Sequence, residues 1–249
     1  MAVTIKSNEE IQKMRAAGKL TFDVLSMVEK LIRNGVATID IDRTVDEFIR
    51  AKGGIPSFKN YRGFPKSMNI SVNDEVIHGI PGIRKLKDGD IVSVDVGVIL
   101  NKYHGDAART FACGNVSDEA QRLIDVTKQS FFEGIKYARN GFHLYQISKA
   151  IQDYAESNGF SVVREYVGHG IGRAMHEDPS IPNYKPPGRG LRIEKGMTFA
   201  VEPMVNAGSH EIEILNDNWT IVTKDGSLSA HYENSLAITD GEPDILTLY

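Results

Sequence analysis

Asp95 and Asp106 stand eleven positions apart, in Asp90-Ile91-Val92-Ser93-Val94-Asp95-Val96-Gly97 and Tyr103-His104-Gly105-Asp106-Ala107-Ala108-Arg109-Thr110. In the first segment Val92, Val94, Val96 and Val98 alternate with Ser93, Asp95 and Gly97. A period of two predicts a strand with one apolar face and Asp95 on the other. The turn-like Asn101-Lys102-Tyr103-His104-Gly105 follows, so a second strand is expected to begin near Asp106. A hairpin pivoting between Leu100 and Asn101 sets Asp95 directly opposite Asp106. Opposed carboxylates on one face of a hairpin repel. A fold that keeps them has a cation to place between them, and a metal ion fits best.

The second half of the chain supplies more ligand types. His169 lies in Gly168-His169-Gly170-Ile171-Gly172, where small neighbours permit close approach. Glu202 interrupts the apolar run Phe199-Ala200-Val201-Glu202-Pro203-Met204, and Glu233 lies in Ser229-Ala230-His231-Tyr232-Glu233-Asn234-Ser235-Leu236. An acid within a strand is costly to bury unpaired, which again favours a shared cation. Four carboxylates and one imidazole are too oxygen-rich for structural zinc and carry enough charge for two divalent ions. Other chemistries lack their motifs: there is no His-Glu-x-x-His, no Gly-x-Ser-x-Gly and no phosphate loop.

These residues need elements to hold them. Ser7-Asn8-Glu9-Glu10 is a capping box, and Ile11, Met14, Gly18, Thr21, Leu25, Val28 and Ile32 recur at helical spacing, with Asn34-Gly35 as the expected stop. A second helix is predicted over 39–52. Ser117 opens a third towards Arg139-Asn140-Gly141, and a fourth runs from Leu144 to Asn158-Gly159. Arg33-Asn34-Gly35 and Arg139-Asn140-Gly141 are 106 positions apart, as are Ile41 and Ile147, Val45 and Ile151, and Phe48 and Tyr154. An internal repeat at this offset predicts two related halves, about 7–112 and 117–240, within a single catalytic domain over 1–249. Strands are expected over 68–72, 91–99 and 106–112, then over 197–205, 211–215, 218–223 and 229–239. Prolines and glycines make 178–190 an extended loop. Runs of helices followed by runs of strands give an α+β class with a mostly antiparallel sheet.

The composition narrows the function further. A chain of 249 residues, 41% hydrophobic, can bury a sizeable core. Its 29 Lys and Arg against 33 Asp and Glu leave a net charge of −4, with no basic footprint for nucleic acid. Cys113 is the single cysteine, so no intramolecular disulfide forms. The first residues lack an apolar leader core and no 18-residue apolar run occurs, which reads as a soluble cytoplasmic protein whose sequons at Asn69, Asn115 and Asn218 are chance matches.

The order Asp95, Asp106, His169, Glu202, Glu233, with Val76-Ile77-His78-Gly79-Ile80-Pro81 upstream, resembles the type I methionine aminopeptidases. Gly63-Phe64-Pro65-Lys66-Ser67, His176-Glu177-Asp178-Pro179 and Lys224-Asp225-Gly226-Ser227-Leu228-Ser229 extend the likeness over the whole chain. The resemblance implies the pita-bread fold of two pseudo-symmetric halves. It implies two divalent ions (cobalt, manganese, iron or zinc) bridged or chelated by Asp95 and Asp106 and completed by His169, Glu202 and Glu233. Glu202 would also accept a proton from water. His78 and His176 would contact substrate, one near the scissile amide nitrogen and the other near the oxygen of the tetrahedral intermediate. Tyr61, Phe64, Met175 and Trp219 would line a methionine pocket, where aromatic faces meet thioether sulfur favourably. Phe58 and Asn69 stand where several bacterial relatives carry cysteine, and Met175 where an aromatic is common.

By the same resemblance the partners are peptide and nascent-chain N-termini, with transient ribosome contact, no membrane and a monomeric state. The reaction expected is removal of an initiator methionine followed by a small residue. Two readings compete with it: another pita-bread hydrolase directed at Xaa-Pro bonds, and a binding homologue that has lost its chemistry.

Overall fold

A computed structural model describes residues 3–249; Met1 and Ala2, on which part of the expectation about the N-terminus falls, lie outside it. The Ser7 side chain accepts from the Glu10 amide while Glu10 reaches back to Ser7, and this reciprocal cap starts helix α1, Asn8–Glu29. Met14, Gly18, Thr21, Leu25 and Val28 face inward as the spacing predicts. The helix ends at Glu29 rather than at Asn34, and Gly35 turns the chain with a φ of 84°. Helix α2 spans Thr38–Ala51, α3 Asp118–Ile135 and α4 Leu144–Ser157. Helices α2 and α4 are both 14 residues long.

The strands among the described residues pair antiparallel throughout, in four small sheets. Ile91–Leu100 is the spine of the first sheet, with Tyr103–Ala112 on one side and Asn69–Val72 and Ile55–Pro56 on the other. A five-stranded sheet orders Asp244–Ile245, Asn234–Ala237, Thr198–Val201, Gly168–Gly170 and Glu177–Ile181. The start of the expected 178–190 loop is therefore a strand. Two three-stranded sheets complete the fold.

The core divides along the chain. Leu20, Val45, Val92, Val94, Val96 and Val98 belong to one apolar cluster, which runs from Leu20 to Cys113. Leu123, Phe131, Ile147, Ile151, Phe199 and Leu236 belong to another. Helix α1 is pressed against the hairpin: a Cβ on Gly105 would lie 2.7 Å from the Gly18 nitrogen, and one on Gly18 would lie 2.1 Å from the Leu246 carbonyl oxygen. Only glycine lets backbone approach backbone so closely beside Asp106.

Two expectations about the strands need correction. The hairpin pairs Leu100 with Tyr103, so Asp106 faces Gly97 and Asp95 faces Ala108. The loop has two residues, Asn101 and Lys102, at φ of 53° and 68°. Two successive positive φ values make the tight turn that matches strand twist, and this turn sets the register. The shift is two residues, so face parity survives and the two aspartates are diagonal neighbours on one face rather than direct opposites. The second correction concerns 197–205 and 229–239, which do not form single strands. Thr198–Val201 and Met204–Asn206 belong to different sheets, as do Ser229–His231 and Asn234–Ala237. Pro203 cannot donate to a ladder and ends the first of these strands. Glu202 and Glu233 both sit where the chain passes from one sheet to the other.

Candidate metal centre

Asp106, His169 and Glu233 are buried, and each offers a ligand atom within 4.8 Å of the others. Asp95 and Glu202 line the same ≈ 290 Å³ cavity. All five residues singled out by type and order therefore converge. The hairpin presents Asp95 and Asp106, and Asn69, paired across the sheet with Asp95, donates to its Oδ2 at 3.0 Å. Ser235 fixes the Asp106 backbone by accepting from its amide and donating to its carbonyl, both at 2.9 Å. Glu233 exchanges backbone hydrogen bonds with Ala108 at 3.0 and 3.3 Å, which ties its sheet crossing to the hairpin. His169 sits between Gly168 and Gly170, where added Cβ atoms would lie 2.5 Å from the Ala200 oxygen and 2.2 Å from the Asp178 oxygen. Adjacent backbone, rather than a ligand, requires these small neighbours.

The donor set fits cations. Oδ1 of Asp95, Oδ1 of Asp106 and Oε1 of Glu233 are buried without a hydrogen-bond partner. His169 Nδ1 lies 2.8 Å from the Gly170 carbonyl, which only accepts, so the proton is on Nδ1 and the Nε2 lone pair is free. That lone pair faces Glu202 Oε1 at 3.6 Å and Asp106 Oδ2 at 3.9 Å. Ionised carboxylates facing a lone pair repel it unless a cation lies among them.

Burial, then mutual repulsion, explains the protonation of the metal-free site. Burial pushes Asp95 up to about 7. Burial first, then the neighbouring carboxylates, hold Asp106, Glu202 and Glu233 well above the usual range. Burial holds His169 down at about 3, in the neutral form a metal ligand requires. Carboxyls that bind protons more tightly folded than unfolded stabilise the fold at low pH. For Asp95 this contribution is lost as pH rises from its ordinary value near 3.8 through about 7. The melting temperature of chelator-treated protein should therefore fall between pH 4 and 7, by roughly 2–4 °C per pH unit. Excess manganese should abolish or reverse the slope, because binding requires the deprotonated ligands. A metal-free melting temperature flat across that range would contradict the assignment of a raised carboxyl cluster.

The remaining predicted residues surround the cluster. His176 Nδ1 lies 2.9 Å from the Tyr61 hydroxyl; its ring stacks on that of Tyr61 with centroids 5.4 Å apart and lies tilted by 40° against that of His169, 4.2 Å away. With the tyrosyl hydroxyl donating, the imidazole proton is on Nε2, a donor for the cavity that His176 lines. His78 lines it too, at a φ of 60° that costs a non-glycine residue about 1–3 kcal/mol. Phe58, Phe64 and Met175 form one buried apolar cluster, with Tyr61 and Trp219 packed against it. Trp219 meets Phe64 edge-on at 5.1 Å.

Three further residues shape the site without being marked as such by the sequence patterns. Gly97 floors the apolar part: a Cβ there would lie 2.9 Å from Phe58 and 3.1 Å from Met175. His231 is buried, with its unpartnered Nε2 3.9 Å from Glu202 Oε2. His104 is buried against Ser57, 2.9 Å from its hydroxyl. Period two does place His104 on the face of Asp106, a usable signal. Nothing comparable marks His231, because the chain leaves its strand between His231 and Glu233.

Comparison with known proteins places this geometry among relatives. The family model for metallopeptidase family M24 matches residues 12–240. Methionine aminopeptidase from Clostridium perfringens is 54% identical over 246 residues, covering 99% of both chains. The crystal structure of methionine aminopeptidase from Rickettsia prowazekii superposes with a TM-score of 0.97 at 43% identity, covering 99% of this chain and 100% of that one. Xaa-Pro dipeptidase from Bacillus anthracis shares the fold with a TM-score of 0.79 at 21% identity, over 98% of this chain and 62% of that one.

Proposed function

The chain belongs to metallopeptidase family M24 and, within it, to the methionine aminopeptidases of pita-bread fold, and we propose that it removes N-terminal methionine from peptides and nascent proteins whose second residue is small. Membership in this family carries divalent-metal binding with it. The observation that carries the finer reading is a set of orphaned, buried carboxylate oxygens next to an apolar cluster built from Phe58, Phe64, Met175 and Trp219. Such a site holds a charged reacting centre at one end and a thioether side chain at the other.

Asp95, Asp106, His169, Glu202 and Glu233 would hold two divalent ions. When bound, these supply Lewis-acid polarisation of the scissile carbonyl and lower the pKa of water. Glu202, a carboxylate at the rim of the cluster, accepts the proton of the attacking water and delivers it to the leaving amine. His176, oriented by Tyr61, donates to the oxygen that becomes negative in the tetrahedral intermediate; such donors contribute roughly 2.7–4 kcal/mol. His78, which lines the same cavity, contacts the scissile amide. Phe64, Trp219, Tyr61 and Met175 exclude water from the methionine side chain. The two halves act as a single catalytic domain, since the hairpin supplies two of the ligands and the second half of the chain supplies three.

Three peptides test this reading with manganese or cobalt added. Met-Ala-Val-Thr should release free methionine rapidly. Met-Leu-Val-Thr should be cleaved negligibly, because its second side chain must fit beside the polarised carbonyl, and Leu-Ala-Val-Thr should be a poor substrate. A chelator should abolish cleavage of the first. Comparable rates on all three would reduce the protein to a broad aminopeptidase.

A further inference from the structure

His176 and Met175 are carried by a short turn, 172–177, and what grips that turn is not part of the metal centre. Lys6, in the extended segment before α1, is almost buried: its side chain is 6% exposed and that of its ion-pair partner Glu177 is 15% exposed. The Lys6 ammonium contacts the Glu177 carboxylate and the Thr4 hydroxyl, and Thr4 Oγ1 donates to Glu177 Oε2 at 2.7 Å. The other Glu177 oxygen accepts from the Ala174 amide at 3.2 Å. The pair packs on Gly172, where a Cβ would lie 2.5 Å from Lys6 Cε and 2.6 Å from Glu177 Oε1. The Gly172 carbonyl accepts from the His104 amide at 2.9 Å, and the Lys6 amide donates to Gly196 at 2.7 Å. Burial raises the Glu177 carboxyl, yet the hydrogen bonds from Lys6 and Thr4 outweigh it and leave it below the usual range.

A desolvated ion pair adds little stability compared with an apolar pair of similar volume. Its contribution here is geometric: one end of the pair is anchored on the N-terminal segment and the other lies one residue from His176. We propose that Lys6 and Glu177 are positioning residues that hold the 172–177 turn so that the His176 imidazole stays against Tyr61 and the reacting oxygen. The proposal rests on the role given to His176 above. Neither residue lines the cavity of the metal centre.

The test compares Lys6→Met, Lys6→Arg and Glu177→Gln in the metal-loaded enzyme, each also in a His176→Ala background. Lys6→Met and Glu177→Gln should lower kcat on Met-Ala-Val-Thr by about 10–100-fold, the loss seen when a partner that orients a metal ligand is removed. KM and metal content should stay within twofold, and Lys6→Arg should restore most of the rate. In the His176→Ala background the same substitutions should cost less than twofold more, because the group they orient is gone. Equal losses in both backgrounds, or no loss in either, would overturn the proposal. A readout independent of turnover is the His176 ring resonance, assigned by its disappearance in His176→Ala. It should move in Lys6→Met and return in Lys6→Arg. A resonance unmoved by Lys6→Met overturns the clamp whatever the substrate proves to be, whereas a moved resonance with no methionine release would fault the functional reading alone.

Discussion

Asp106→Asn should leave a folded protein that holds at most one metal ion and turns over Met-Ala-Val-Thr more than about a hundredfold more slowly than wild type. Replacing even an outer partner of a metal ligand costs 10–100-fold, and Asp106 would be a ligand itself. The residue is 3% exposed and its carboxylate faces His169, Asp95 and Glu233. Asparagine keeps the shape, removes one negative charge and turns an acceptor oxygen into a donor nitrogen. Without metal, the same change relieves repulsion among buried carboxyls, so chelator-treated Asp106→Asn should melt no lower than chelator-treated wild type. Kinetics, metal analysis and two melting curves suffice. Wild-type turnover with two bound ions would remove Asp106 from the centre.

His176→Ala separates chemistry from metal binding. We expect kcat to fall about 10²–10³-fold, the loss seen when a single donor to a developing oxyanion is removed. Metal content should stay at the wild-type value and KM should change little, because the interaction strengthens only in the transition state. His176 lies against His169 without sharing its carboxylate partners, so removing the ring leaves the donor set intact. Tyr61→Phe, which deletes the hydroxyl 2.9 Å from Nδ1, should show a smaller drop of the same kind. Loss of metal together with rate in His176→Ala would put this histidine among the ligands instead.

The parts of the fold and of the site that are legible in the amino-acid order are those governed by local rules. Alternation in 92–98 places Asp95 opposite the apolar face, and parity keeps Asp106 with it despite the two-residue difference in register. The turn misleads because Lys102 is not a residue whose type announces a positive φ, although its φ is 68°. The ends of α1 differ in the same way: Ser7 caps the start by side-chain chemistry, while at the stop only the backbone of Lys30 caps, through its amide to the Met27 and Val28 carbonyls. Strand breaks after Val201 and His231 are hidden because apolar, strand-forming residues continue on both sides; Pro203 is the available clue. Gly97, His231, Lys6 and Glu177 act through neighbours far away in the chain, as the 171-residue separation of the Lys6–Glu177 contact illustrates. No local pattern encodes such contacts.

The division of the core along the chain gives the centre an order in time. Residues of the cluster from Leu20 to Cys113 are all synthesised before any of His169, Glu202 or Glu233 exists. Vectorial synthesis lets early segments collapse first. The hairpin can thus be folded with its apolar face buried while its two aspartates still lack the other three residues of the centre. Metal capture becomes the closing event of biogenesis, after the second sheet crossing has been made, and a chain that matures in metal-poor surroundings docks around protons instead. Pulse-labelled chains should accordingly gain protease resistance in their first hundred or so residues before they retain manganese; simultaneous acquisition would refute this order.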